Sequence, residues 1–223
     1  METNIRLSAI DGKLELASFS ATASLTDLAE GLESARSSDD LRTRACRGCG
    51  ECCSDLIPVL APDLFVLAGS LGVTREELFS EYLSLPARPV RAQRERGIED
   101  LARQFNITER AAAWIYEFNQ ANPITFRRKR SGECVFLADN LCTIYADRPF
   151  ICRLYVCNMG DNLAVLHEAI VTQGVWHSYV DLGWLSREDI PHNPFIKAAS
   201  YGAIALSEFD AAEDGSLEQL FSV

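Results

Sequence analysis

The stretch Cys46-Arg47-Gly48-Cys49-Gly50-Glu51-Cys52-Cys53 constrains this chain more than any other. It gathers four of the chain's eight cysteines, and the other four, Cys134, Cys142, Cys152 and Cys157, form a second group about eighty residues later. Thiolates at Cys-x-x-Cys spacing let a tight loop aim two sulfurs at one metal centre while its amides bond to those sulfurs. Two such pairs overlap here, Cys46 with Cys49 and Cys49 with Cys52, so three sulfurs converge from one loop. Gly48 and Gly50 lie between them, where tight loops often need a positive φ and no Cβ.

That spacing is the one used by loops that wrap a cubane iron–sulfur cluster, whereas a mononuclear zinc more often takes paired knuckles from two separate places. Neighbouring side chains diverge, so Cys52 and Cys53 do not both suit one small tetrahedral ion. A cubane needs four protein ligands, so the first loop requires a sulfur from the second group. Eight cysteines would serve two four-thiolate sites, or one site with accessory thiols. An iron–sulfur cluster, of the 4Fe-4S kind, is the leading expectation; zinc, and disulfide or redox thiols, are the alternatives.

A chain of 223 residues can bury a real core, so metal need not supply all of the folding energy. A net charge of -11 argues against non-specific binding to nucleic acid or anionic lipid. The first six residues lack the basic-then-apolar pattern of a signal peptide, and no run approaches the roughly 18 apolar residues that span a bilayer. The expectation is a cytoplasmic protein with reduced thiols and no membrane partner, in which eight cysteines point to metal rather than disulfides.

Residues 4 to 19 read as a hairpin: Ile5, Leu7 and Ala9 alternate with polar residues, Asp11-Gly12 signals a type I′ turn, and Leu14 and Leu16 resume the alternation. Ser24 to Asp27 opens a helix through about Ala35, and the polar run 37 to 40 marks a boundary. Pro62 suits a first helical turn, with Leu64, Leu67, Ala68 and Leu71 in one stripe ended by Gly72. Thr74 with Glu77 caps a short helix through Leu83. Residues 84 to 99, rich in Pro and Arg, read as an exposed loop, and Asn106 with Glu109 caps a helix striped by Ala111, Trp114, Ile115 and Phe118. Ile124 to Arg130 reads as a strand or extended arm, and 134 to 157 as turns and short apolar pieces that metal ligation would fix. Residues 163 to 182 fit helix or paired strands, 194 to 206 form another apolar segment, and 208 to 223 are an acidic tail.

The elements Cys46-x-x-Cys49-x-x-Cys52-Cys53, Cys134-Val135-Phe136-Leu137 and Cys142-Thr143-Ile144-Tyr145-Ala146-Asp147-Arg148-Pro149-Phe150-Ile151-Cys152-Arg153 resemble the YkgJ family of zinc- or iron-chelating proteins, named for its CxxCxxCC motif. The resemblance covers roughly residues 41 to 158. It implies a metal-binding domain with Cys46, Cys49, Cys52, Cys53, Cys134, Cys142 and Cys152 as ligands; Cys157, just outside the match, is an eighth candidate. The family also includes flagellin lysine methylases, but the sequence shows neither a Cys-x-x-x-Cys-x-x-Cys radical loop nor a Gly-rich strand–helix turn for S-adenosylmethionine.

Arg47, Arg148 and Arg153 lie beside cysteines, where guanidiniums would offset the negative charge of a thiolate-bound cluster; the bland alternative is that Arg148 caps a turn and pairs with an acid. The basic run Arg127-Arg128-Lys129-Arg130 reads as a solvated edge strand in preference to a docking site for an acidic partner. Tyr145 reads as ring packing beside a cysteine loop, and His167, His177 and His192 as scattered residues outside the matched region.

The fold expected is therefore mainly α, or α+β with a small N-terminal hairpin, built as an irregular metal-stapled helical domain. Residues 1–40 form a hairpin-and-helix extension, 41–160 the cysteine-cluster domain and 161–223 a C-terminal extension packed on the core. The function expected is iron–sulfur binding linked to redox chemistry or protein modification. The alternatives are a structural zinc module for a protein partner, and a lysine methylase-like enzyme.

Overall fold

In the computed structural model, the described residues are 4–37, 51–85, 91–105, 123–198 and 200–210, with isolated positions between 108 and 116. The chain begins with the hairpin β1 (Ile5–Ile10) and β2 (Lys13–Phe19), with Ile10 opposite Lys13. Asp11 and Gly12 take φ of 50° and 78°, the two left-handed residues that a type I′ turn needs. Helix α1 (Leu25–Ser37) follows. The Ser24 amide and hydroxyl each donate to Asp27 Oδ2 at 2.7 Å, while Asp27 N–H donates back to Ser24 Oγ at 3.3 Å.

A single turn, α2 (Glu51–Ser54), leads to α3 (Ala61–Leu71), which Gly72 closes with φ 65°. Thr74 and Glu77 form the expected capping box on α4 (Arg75–Glu77), which passes through a π turn, Leu78–Tyr82, into β3 (Leu83–Ser84). The next segment corrects the sequence reading: part of the 84–99 stretch is helix, α5 (Arg91–Phe105). Past Pro89 nothing breaks it, and Arg91 donates to Glu95 at 2.7 Å across one turn. Of the stripe expected after Asn106, residues 111, 114, 115 and 118 lie outside the described residues.

Strand β4 (Thr125–Phe126) pairs with β3, and β5 (Leu137–Ala138) with β6 (Leu141–Cys142). Helix α6 (Phe150–Leu154) is short, and α7 (Asp161–Asp181) resolves the ambiguous 163–182 stretch as one helix. The 194–206 segment forms the short 3-10 turns Pro194–Ile196 and Tyr201–Ala203. The structure is mainly helical with short strand hairpins. No helix among the described residues is long and apolar enough to cross a membrane.

Two apolar clusters hold these elements. The larger joins β1, β2 and α1 to Leu60, α6, α7 and the C-terminal turns; the smaller joins α3 and the π turn to Ile124, Phe126, Phe136 and Ile144. The helices α3 and α7 cross closely, because Ala61 N–H donates to Ser178 Oγ at 3.2 Å and Gly174 carries no side chain. A Cβ at Gly174 would stand 2.5 Å from a methyl of Leu60, which is fully buried. Gly174→Val is expected to destabilise the fold by about 1–3 kcal/mol through overpacking. Urea unfolding measures this, and an unchanged midpoint would show that Leu60 yields freely.

Candidate metal centre

Cys46 and Cys49 lie outside the described residues, as does Arg47, and of Cys52 only its backbone in α2 is described. The remaining cysteines are positioned by local bonds that the sequence partly announces. The Cys53 carbonyl, at the end of the first group, accepts from Cys134 N–H at 2.8 Å and from the Arg128 guanidinium. That carbonyl is the joint between the two cysteine groups. Cys134 also bridges to Arg128 across a tight turn, in which Gly132 takes φ 89° and Lys129 N–H donates to Glu133 O at 2.8 Å.

Asp139 and Asn140 turn β5 into β6 with φ of 49° and 60°, again a type I′ pair, which sets Cys142 opposite Leu137. Thr143 N–H then donates to Phe136 O at 2.9 Å, holding the end of the hairpin. The 3-10 turn Tyr145–Asp147 and the extended Arg148-Pro149 deliver the chain into α6, which carries Cys152. An extended Arg148 is what a following proline favours.

Cys53, Cys134, Cys142 and Cys152 line a single cavity of about 50 Å³, room for more than one water-sized group. Its walls are Ile57, Phe126, Phe136, Ile144 and Pro149, with Asp55, Tyr145, Arg128 and Arg148 adding the polar atoms. Among the described residues no three His, Cys, Asp or Glu side chains converge to hold an ion. Cys157 is exposed, in the turn between α6 and α7, and does not line the cavity. Arg153 lies outside the lining too; its carbonyl accepts from Arg36.

The guanidinium of Arg148 lies 4.0 Å from the centre of the Tyr145 ring and donates to Glu33 of α1. Burial raises the Glu33 pKa, but the charges of Arg148 and Arg36 outweigh it and hold the carboxyl below its ordinary range. Arg148 thus pairs with an acid, as one reading of the sequence had it, and it lines the same cavity as the four cysteines. Tyr145 packs beside the cysteine hairpin and donates its hydroxyl to Glu33 at 3.2 Å.

The basic run is more than a solvated edge. Arg127 Nε donates to Leu83 O at 3.1 Å, Arg128 reaches Cys53 O, and Lys129 reaches Leu137 O. Alternation could have revealed this, since Arg128 shares its side of the strand with the buried Phe126. Sequence reasoning also missed Asp63, buried in α3, which accepts from Phe150 N–H at 3.0 Å and Leu60 N–H at 3.2 Å. Its signal was an acid four residues before Leu67 on the apolar stripe.

Burial is the largest cause of the Asp63 shift and pushes its pKa up to about 6, against the lowering effects of those N–H groups, the Tyr201 hydroxyl and Arg153. The Tyr201 phenol is in turn raised by burial and by the Asp63 charge. His167 and His177 sit on α7, where burial lowers both, and His192 is exposed; none of the three lines the cavity.

The soft, thiol-rich donor set in an apolar, arginine-flanked pocket defines a metal-chelating class of protein. A family model for CxxCxxCC proteins, described as "Putative zinc- or iron-chelating domain", matches residues 45–171, and the chain belongs to that family. No curated protein and no solved structure matches it.

Proposed function

We propose that the pocket holds an iron–sulfur cluster, of the 4Fe-4S kind, ligated by cysteines of both groups. The observation that carries this reading is that Cys53, Cys134, Cys142 and Cys152, up to about a hundred residues apart in sequence, share one cavity with Arg128 and Arg148. Cys46, Cys49 and Cys52 precede Cys53 at the overlapping Cys-x-x-Cys spacing that cubane-binding loops use, whereas a mononuclear zinc more often takes paired knuckles from two separate places. The guanidiniums of Arg128 and Arg148 offset thiolate charge, and so favour a multi-thiolate anion between walls that are otherwise apolar. A bound cluster would supply one-electron transfer, for a redox step or one linked to protein modification.

On this reading residues 41–160 carry the metal chemistry as a metal-stapled unit, and 1–40 and 161–223 support it. A reducing, cytoplasmic setting suits thiols kept for metal. The exposed Leu56 and Leu141, adjoining the lining residues, offer a protein partner apolar contact. The second reading, a structural zinc module, draws on the family description, which names zinc beside iron.

Anaerobic purification with a visible spectrum and assays of iron, sulfide and zinc separates the two. The expected result is a brown protein with iron and sulfide in comparable amounts. A colourless protein that keeps stoichiometric zinc after anaerobic reconstitution with iron and sulfide would assign the zinc module instead.

A further inference from the structure

The N-terminal helix α1 lies outside the matched residues 45–171, yet one of its side chains holds two residues that line the cysteine pocket. Glu33 accepts from the Arg148 guanidinium through Oε2 and from the Tyr145 hydroxyl through Oε1 at 3.2 Å. Arg36, one turn on, donates to Glu33 at 2.7 Å. Its other terminal nitrogen donates to the carbonyls of Arg153 and of Tyr155, the latter at 2.6 Å. The pair therefore grips the chain on both sides of Cys152, at Arg148 before it and at Arg153 and Tyr155 after it.

We infer that Glu33 is a positioning residue for the metal centre, fixing Arg148 against the thiols. The inference rests on the proposed function. Arg148 is only 9% exposed at its side chain, and a guanidinium so enclosed stays in place only while a carboxylate compensates it. Glu33 supplies that carboxylate, and the Tyr145 ring fixes the plane of the guanidinium. Without Glu33, Arg148 turns out to solvent and the thiolates around the metal lose the cation that offsets their charge. Glu33, Arg36 and Arg148 together carry one net positive charge, which suits an anionic centre.

The test uses the full chain stripped of metal, titrated with Zn²⁺ alone against a chromophoric chelator and melted without metal. Glu33→Ala and Arg148→Ala are each expected to weaken Zn²⁺ binding about 10–100-fold, and the double variant no further, because both act through one guanidinium. Leu28→Ala, in the buried face of the same helix, is expected to lower the melting temperature yet keep affinity within about threefold. Glu33→Gln, which keeps an acceptor, replaces Glu33→Ala if the latter does not fold. Unchanged affinity in a folded Glu33 variant, or losses that add fully to those of Arg148→Ala, would overturn the inference. Failure of the wild-type chain to bind Zn²⁺ or iron would overturn the proposed function, and the inference with it.

Discussion

Cys152→Ser is expected to empty the metal centre, whereas Cys157→Ser is expected to leave it loaded. Cys152 is held from three directions: Asp63 accepts the Phe150 N–H at the start of α6, Arg36 binds the carbonyls at its end, and Arg148 lies one turn before it. A thiol on so fixed a support does not trade places with another donor. A serine hydroxyl is a harder and far less acidic ligand than a thiol, so the loss in affinity should exceed the roughly 10–100-fold seen for changes one shell further out. Cys157 is exposed in a turn stitched to β2 by Leu14 N–H on Asn158 O at 2.7 Å, and it lies off the cavity. Metal analysis of both variants after anaerobic reconstitution decides the matter. Full loss in Cys157→Ser, or full retention in Cys152→Ser, would refute this ligand assignment.

What the sequence announced and what it concealed divide along the range of the interactions. Asp11-Gly12, Ser24 with Asp27, Thr74 with Glu77 and Gly72 act through bonds to residues a few positions away, and each appears where the residue types place it. The approach of Cys53 to Cys134, in contrast, runs through the Cys53 carbonyl, a group every residue possesses. Its partners, Cys134 N–H and Arg128, could not be chosen from composition. The same holds for Glu33, whose neighbours in α1 give no sign that its carboxylate meets Arg148, 115 residues away. Helix α5 was concealed for another reason: its prolines cluster before Arg91, so counting Pro and Arg across the whole stretch hid an uninterrupted helical run. Cys46 and Cys49, the most legible residues of the chain, lie outside the described residues.

The extent of the family match bears on how the centre is held. Residues 45–171 contain every cysteine and the whole cavity lining. They do not contain β1, β2, α1 or the C-terminal turns, which contribute Leu14, Leu25, Leu28, Leu32, Phe195 and Phe209 to the same core as Phe150, Ile151 and Leu154. Because α6 is only five residues long, it cannot hold itself in a helical form in isolation. Packing from both flanking segments therefore fixes the frame in which Cys152 is presented.

Asp63 gives that frame a pH dependence with a defined sign. Its folded pKa of about 6 lies above the ordinary value of 3.8. The folded chain thus keeps a proton that the unfolded chain gives up between those two values. Stability from this group is complete below about pH 4 and declines as pH rises through about 6; above that, a buried charge remains as a penalty on the order of 3 kcal/mol. Asp63→Asn removes the titration, so its stability relative to wild type should rise by that order between pH 4 and pH 7. The amide cannot accept from both Phe150 and Leu60 N–H groups, so the variant starts from a deficit of about 1–3 kcal/mol at the acid end. The two effects oppose each other, and near neutral pH the variant is expected to approach wild type or pass it. Asp63→Ala strands both N–H groups and should remain destabilised by a few kcal/mol at acid pH, where wild type has no charge to bury. Urea unfolding of the metal-free chain and both variants across this range reads out the difference. A gap between wild type and Asp63→Asn that stays constant with pH would show that Asp63 titrates alike in the folded and unfolded chain.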